Sequence, residues 1–204
     1  MIKNIIFDWS GTLSDNLHPV YETCMIMFEQ LGGKRISVEE FRKKHTSPYM
    51  KFWHQFFPRL TKEKQDNLYE KAIQKVPKAK LYPGVNEALK LLNARGINLF
   101  ILSSEPYSYI VEDLEKEGIL RLFEKIEARV HDKVEAIRGI LDEYRFDPNE
   151  TAYIGDVEGD VEAGRNASVK TVAISWGFNS KERLEKSGPD LLIDNLLELV
   201  ELLQ

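Results

Sequence analysis

The stretch Ile5-Ile6-Phe7-Asp8-Trp9-Ser10-Gly11-Thr12-Leu13 runs from apolar residues through a single carboxylate into a glycine turn. Short apolar runs bounded in this way read as buried parallel strands. Read so, the stretch places Asp8 at the carboxyl tip of a strand, and the Gly11 turn aims it into the crevice above a sheet. Three further runs end alike in small or acidic residues. These are Asn98 to Leu102 before Ser103-Ser104, Thr151 to Ile154 before Gly155-Asp156, and Lys170 to Ile174 before Ser175-Trp176-Gly177.

Helical periodicity fills the intervals. Val85, Ala88, Leu89 and Leu92 lie on one face with Gly96 as a stop, and Val134, Ile137, Ile140, Leu141 and Tyr144 form another. Leu196, Leu199, Val200 and Leu203 form a third, expected to dock on the sheet. Alternation of strand and helix from residue 83 onward predicts an α/β fold with a doubly wound parallel sheet, Rossmann-like in its core. Residues 15 to 80 interrupt that alternation. They are helical and polar, carry Phe52, Trp53, Phe56 and Phe57, and are punctuated by Gly32-Gly33, Pro58 and Pro77. The expected organisation is a core of residues 1–14 and 83–204 with an inserted helical cap domain over 15–82.

A length of 204 residues accommodates one full core with a small inserted module. The net charge of −5 gives no basic footprint for nucleic acid. Cys24 is the single cysteine, which excludes an intrachain disulfide and a cysteine-rich zinc site. The first apolar run is broken by Lys3, Asn4 and Asp8 and does not read as a secretory leader. No stretch approaches the roughly 18 to 20 apolar residues that span a bilayer. Glu198 and Glu201 argue against acidic lipid as a partner for the last helix. A cytoplasmic protein is expected, without a nucleic-acid or membrane partner; the sequence sets no oligomeric state.

In an open α/β sheet, ligands bind beyond the carboxyl ends of the strands, at the point where strand order reverses. Asp8, Ser103-Ser104 and Asp156 all fall at such ends and can converge. Gly155-Asp156-Val157-Glu158-Gly159-Asp160 offers three acids in five positions, a donor set that suits a hard cation such as Mg2+. The same turn is also compatible with a solvated loop that caps a helix. Ser103 and Ser104 can hold a phosphate through hydroxyls and free backbone N–H groups, or serve as a plain helix cap. Lys133 opens the helix that leads toward Asp156; it is compatible with a solvated surface charge, or with neutralising a phosphoryl oxygen and the Asp8 carboxylate.

Together these residues resemble the haloacid dehalogenase-like hydrolase superfamily. Asp8-x-x-Gly11-Thr12 matches its first motif, Ser103 the second, Lys133 the third, and Gly155-Asp156-x-x-x-Asp160 the fourth, in order and across the chain. The run from Tyr153 to Gly164 and the later Trp176-Gly177-Phe178 look most like the phosphoglycolate phosphatase-like branch. The resemblance implies that Asp8 attacks phosphorus and forms an aspartyl-phosphate. It implies Mg2+ held by Asp8, the backbone carbonyl of Ser10 and Asp156, with Asp160 or Glu158 in support. Ser103 and Lys133 would stabilise the transferring phosphoryl group. Thr12 would orient the loop, and Gly11 and Ser104 would contact phosphate. Lys43 and Lys44 are candidates for contact with an anionic substrate by their location in the cap, where a solvated helical face is the alternative.

Ser10 departs from the pattern, which has a second aspartate there as general acid and base. A serine hydroxyl cannot take that role at neutral pH, and such help is worth about 10²- to 10⁴-fold. Three expectations compete. One is a Mg2+-dependent phosphatase acting on a small phosphorylated metabolite, slow or selective. A second is a phosphonate C–P hydrolase, because Asp8-Trp9-Ser10-Gly11-Thr12 is similar to the first motif of phosphonoacetaldehyde hydrolases; it would need a cap lysine such as Lys43, Lys44 or Lys51. The third is a non-catalytic phosphate- or partner-binding protein of the same fold.

Overall fold

The structure is a computed structural model that describes residues 1–46 and 49–202. Strand β1 (Asn4–Phe7) is followed by an all-helical segment of α1 (Leu17–Gln30), α2 (Val38–Lys44), α3 (Met50–Phe56) and α4 (Lys62–Ile73). The chain then alternates: α5 (Val85–Ala94), β2 (Asn98–Leu102), α6 (Tyr107–Lys116), β3 (Phe123–Glu127), α7 (Lys133–Tyr144), β4 (Thr151–Gly155), α8 (Glu158–Asn166), β5 (Lys170–Ile174), α9 (Lys181–Ser187), β6 (Leu191–Ile193) and α10 (Leu196–Leu202).

The chain forms two compact units, residues 1–15 with 80–204 and residues 16–79. In the first, six strands pair in the order β3-β2-β1-β4-β5-β6. Every neighbouring pair is parallel. This is the doubly wound α/β sheet expected from the alternation. Its interior strands are buried on both faces: Ile5 and Phe7 pack with α5 and α10 residues such as Leu89, Leu92 and Leu199. Ile6 and Phe100 pack on the opposite face with Ile137, Ile140 and Tyr153. Each such side chain contributes about 1.5–3 kcal/mol by burial, which is why continuous apolar runs mark these strands. Leu196, Leu199 and Val200 are buried in this core, whereas Leu203 lies outside the described residues.

Two strands are absent from the sequence-based expectation. Strand β3, Phe-Glu-Lys-Ile-Glu, lies at the sheet edge and is only partly buried. Its Lys125 pairs with Glu127 and Glu143, so alternating charge masks the strand. Strand β6 has only three residues and closes the other edge.

The second unit is held by aromatic packing. The Phe28 ring lies 5.4 Å from Trp53, 4.8 Å from Phe56 and 5.0 Å from Phe57. Phe41 and Phe52 meet edge-on at 5.2 Å, a favoured aromatic geometry. Cys24 is buried, and burial pushes its thiol upward, so it behaves as a small apolar residue. No helix among the described residues is long and apolar enough to cross a membrane.

Candidate active site

The order of the sheet locates the site. From β1 the chain builds outward through β2 and β3, then returns to add β4 on the other side of β1. Strand order therefore reverses between β1 and β4, where such sheets bind ligands. The β1–β4 register pairs Phe7 with Ile154, and the Asp8 N–H donates to the Ile154 carbonyl at 2.8 Å. Asp8 and the Gly155-Asp156 turn thus emerge side by side. Phe7 also pairs with Ile101 of β2, which brings Ser103 to the same edge.

Carboxylate oxygens of Asp8, Asp156 and Asp160 lie within 4.8 Å of one another, and all three residues are buried. Lys133 is the first residue of α7, whose amino end is capped by the Asp132 carboxylate accepting from the Glu135 N–H at 3.0 Å. From there its Nζ donates to Asp8 Oδ1 at 2.8 Å and to Asp160 Oδ1 at 2.6 Å.

Asp160 is the most fully engaged of the three acids. Its Oδ1 also accepts from the Tyr153 hydroxyl at 3.1 Å. Its Oδ2 accepts from the Asp156 and Val157 N–H groups, at 3.1 Å each. With four donors on two oxygens, Asp160 shapes the turn that presents Asp156. The Asp156 Oδ2 accepts from the Phe178 N–H at 2.5 Å, and its Oδ1 receives a long contact from the Thr12 hydroxyl at 3.4 Å. Trp176 Nε1 donates to the Thr12 carbonyl at 3.2 Å, anchoring the loop after β1. Glu158 faces away to Arg183, whose Nε donates to it at 2.8 Å; that contact holds its carboxyl below the usual range.

Burial dominates the electrostatics. It raises the Asp8 carboxyl from 3.8 to about 6, against the attraction of Lys133. Burial likewise raises Asp156 well above its ordinary value, with the nearby Asp160 and Asp8 charges adding to the effect. Burial would lower Lys133, but the attraction of Asp160 and Asp8 prevails and holds it well above the usual lysine value. Three buried carboxylates therefore cluster beside one ammonium that pairs with two of them, Asp8 and Asp160, a donor set that suits a divalent cation with oxygen ligands.

Close packing around Asp156 leaves no room for side chains at two glycines. Gly11 has φ of +75°, and a Cβ there would collide with Asp156 Oδ2 and the Phe178 ring. A Cβ on Gly177 would likewise strike the Asp156 side chain. Gly11→Ala is expected to destabilise the chain by about 1–2 kcal/mol through the left-handed backbone alone, and to displace Asp156. Denaturant unfolding checks this; an unchanged midpoint would refute the packing argument.

On the β2 side, Ser103 is buried, and its Oγ accepts from the Glu105 N–H at 3.1 Å. Ser104 is exposed on the same loop, and Pro106 is the residue just before α6. Ser10 Oγ donates to Glu105 Oε1 at 3.2 Å, and burial raises the Glu105 carboxyl above its ordinary value despite that bond. In the helical unit, Lys43 pairs with Glu39 at 2.7 Å and Lys44 lies 5.4 Å over the Phe56 ring.

The structure thus gathers Asp8, Ser10, Gly11, Thr12, Ser103, Lys133, Asp156 and Asp160 on one edge of the core unit. Sequence reading gave no role to Glu105 or to the Tyr153 hydroxyl. An acid two residues beyond a strand-end serine was the available signal for Glu105; Tyr153 reads as an ordinary apolar strand residue.

Comparison with known proteins bears on the family and the fold. A family model described as haloacid dehalogenase-like hydrolase matches residues 5–174. A phosphoglycolate phosphatase of Synechococcus elongatus is 29% identical over 214 aligned residues, covering 98% of this chain and 96% of the relative. A pyrophosphatase PpaX of Listeria monocytogenes is 24% identical, covering 100% and 97%. A haloacid dehalogenase-like family hydrolase from Streptococcus pneumoniae has the same fold, with a TM-score of 0.85, 22% identity and coverage of 100% and 99%.

Proposed function

The chain belongs to the haloacid dehalogenase-like hydrolase family and is a phosphatase of its phosphoglycolate phosphatase-like branch, and from that premise we propose that it hydrolyses a small phosphorylated metabolite, with Mg2+, through an aspartyl-phosphate on Asp8. The observation that carries this reading is the Lys133 ammonium held between Asp8 and Asp160 beside Asp156, at the reversal of strand order.

The donor set fits Mg2+, a hard cation that takes one or two carboxylates and completes its shell with water and phosphate oxygens. Asp8, Asp156 and the Ser10 carbonyl would hold it, with Asp160 fixing the turn behind them. Once bound, the ion would withdraw charge from the phosphoryl oxygens.

The protein groups then divide the work. The Asp8 carboxylate attacks phosphorus, forming an O–P bond as the ester O–P bond breaks. Lys133 and the Ser103 hydroxyl face the charge that develops on the transferring group. Lys133 also keeps Asp8 ionised, since its charge opposes the upward push of burial. Water next attacks the phosphoaspartate and restores the Asp8 carboxylate. Thr12 and Gly11 hold the loop that aims Asp8.

The relatives' names make 2-phosphoglycolate and pyrophosphate the first substrates to try. Phosphate release should depend on Mg2+ and stop with a chelator, and trapping during turnover should place phosphate on Asp8. Phosphonoacetaldehyde belongs in the same panel. Its cleavage, with borohydride trapping of Lys43, Lys44 or Lys51, would replace the phosphatase reading with the phosphonate one.

A further inference from the structure

The chemistry just proposed needs a proton donor for the departing oxygen and a proton acceptor for the attacking water. None of the acids already placed is available. Asp8 is the nucleophile, Asp156 faces the Phe178 N–H and Thr12, and Asp160 carries four donors. Ser10 has no useful acidity or basicity near neutral pH. Yet the Ser10 hydroxyl donates to a carboxyl from a different loop, that of Glu105, at 3.2 Å across 95 residues of sequence.

Glu105 is held rigidly for that contact. Its N–H donates to Ser103 Oγ at 3.1 Å, and its carbonyl accepts from the Arg129 N–H at 3.0 Å. Arg129 makes that bond with φ of +56°, a backbone that a non-glycine residue adopts only when its surroundings enforce it. The neighbouring Val130 N–H donates to the Ser103 carbonyl at 2.9 Å, so the loops after β2 and β3 are tied at Ser103 and at Glu105. The side chain is half-buried at the strand-end edge that carries Asp8, and Oε1 is the oxygen that Ser10 orients.

We propose that Glu105 is the proton-transfer carboxyl of this active site and that Ser10 is its positioning residue. The proposal rests on the phosphatase reading and deepens it. In the first step Asp8 displaces the ester oxygen, and Glu105 gives that oxygen its proton as the O–P bond breaks. In the second, the Glu105 carboxylate takes a proton from water as water attacks the phosphoaspartate and the Asp8 carboxylate leaves. Glu105 ends protonated, as it began.

The test uses the leaving group. The kcat/KM value reports transfer to Asp8, and a lost general acid costs most when the departing oxygen is strongly basic. General acid–base help is worth about 10²- to 10⁴-fold. Glu105→Gln should therefore lower kcat/KM at least about 10²-fold on 2-phosphoglycolate, but less than about tenfold on p-nitrophenyl phosphate, whose leaving group needs no proton. Ser10→Asp in the Glu105→Gln background should restore most of the loss, because it returns a carboxylate beside Asp8. Equal losses on both esters, no loss on either, or no rescue would overturn the assignment. A wild type that releases phosphate from neither ester nor from pyrophosphate would instead sink the phosphatase reading, and this assignment with it.

Discussion

Asp8→Asn is expected to reduce phosphate release at least about 10³-fold on every ester, because the amide cannot form the covalent intermediate. The same substitution is expected to stabilise the chain when divalent cations are chelated at pH 8. In the folded chain, burial lifts the Asp8 carboxyl from 3.8 to about 6. A carboxyl raised on folding binds its proton more tightly in the folded state, so its stabilising contribution is complete below about pH 4. That contribution is lost as pH rises through about 6. Above that pH the wild type buries an extra negative charge beside Asp156 and Asp160, whereas asparagine carries none. The melting temperature of Asp8→Asn should exceed that of the wild type at pH 8 and converge with it toward pH 4. Mg2+ should then raise the melting temperature of the wild type more than that of the variant. Thermal unfolding with chelator and with Mg2+ at pH 4, 6 and 8 measures each part. A gap independent of pH would remove the electrostatic account while leaving the catalytic one to the activity assay.

The elements that were legible in the sequence are those whose physics is local or repeats along the chain. Strands β1, β2, β4 and β5 are interior, buried on both faces, and so read as unbroken apolar runs ending in small or acidic residues. Edge strand β3 reads Phe-Glu-Lys-Ile-Glu because it is only partly buried and its lysine is spent on ion pairs, a pattern shared with helix surfaces. The convergence of Asp8, Ser103 and Asp156 was legible because one rule, ligands at the reversal of strand order, applies to all the strand ends. Lys133 opens a helix and was legible from that position and from the resemblance to the family's third motif. Residue types alone do not divide the work among the acids; the resemblance put Asp156 on the cation with Asp160 or Glu158 in support. The donors gathered on Asp160 spend its oxygens on the turn, on Tyr153 and on Lys133, whereas Glu158 turns to Arg183. The contact between Ser10 and Glu105 has no periodicity and no spacing rule behind it. It joins two loops through a register that only the assembled sheet defines.

Lys133→Met should cost both stability and turnover, the opposite pairing to Asp8→Asn. Lys133 Nζ lies 2.8 Å from Asp8 and 2.6 Å from Asp160, both buried, so methionine fills similar volume but leaves two carboxylates without their cation. Removing one partner of a buried ion pair typically costs about 3–5 kcal/mol, or a melting temperature lower by roughly 10 °C for a chain of this size. Turnover should fall about 10²- to 10³-fold, the scale found when one charge-stabilising donor is removed. Loss of the ammonium also removes the attraction that holds Asp8 down, so the acidic limb of the pH–rate profile should move to higher pH. A merely structural lysine would not move that limb. The two effects separate in the double variant Lys133→Met with Asp160→Asn. Neutralising Asp160 removes one of the stranded charges and should recover a large part of the stability, giving a coupling of about 0.5–3 kcal/mol in the cycle. Turnover should stay low, because the charge facing the phosphoryl group is still missing. Recovery of both together would mean that Lys133 acts only by holding the carboxylates in place.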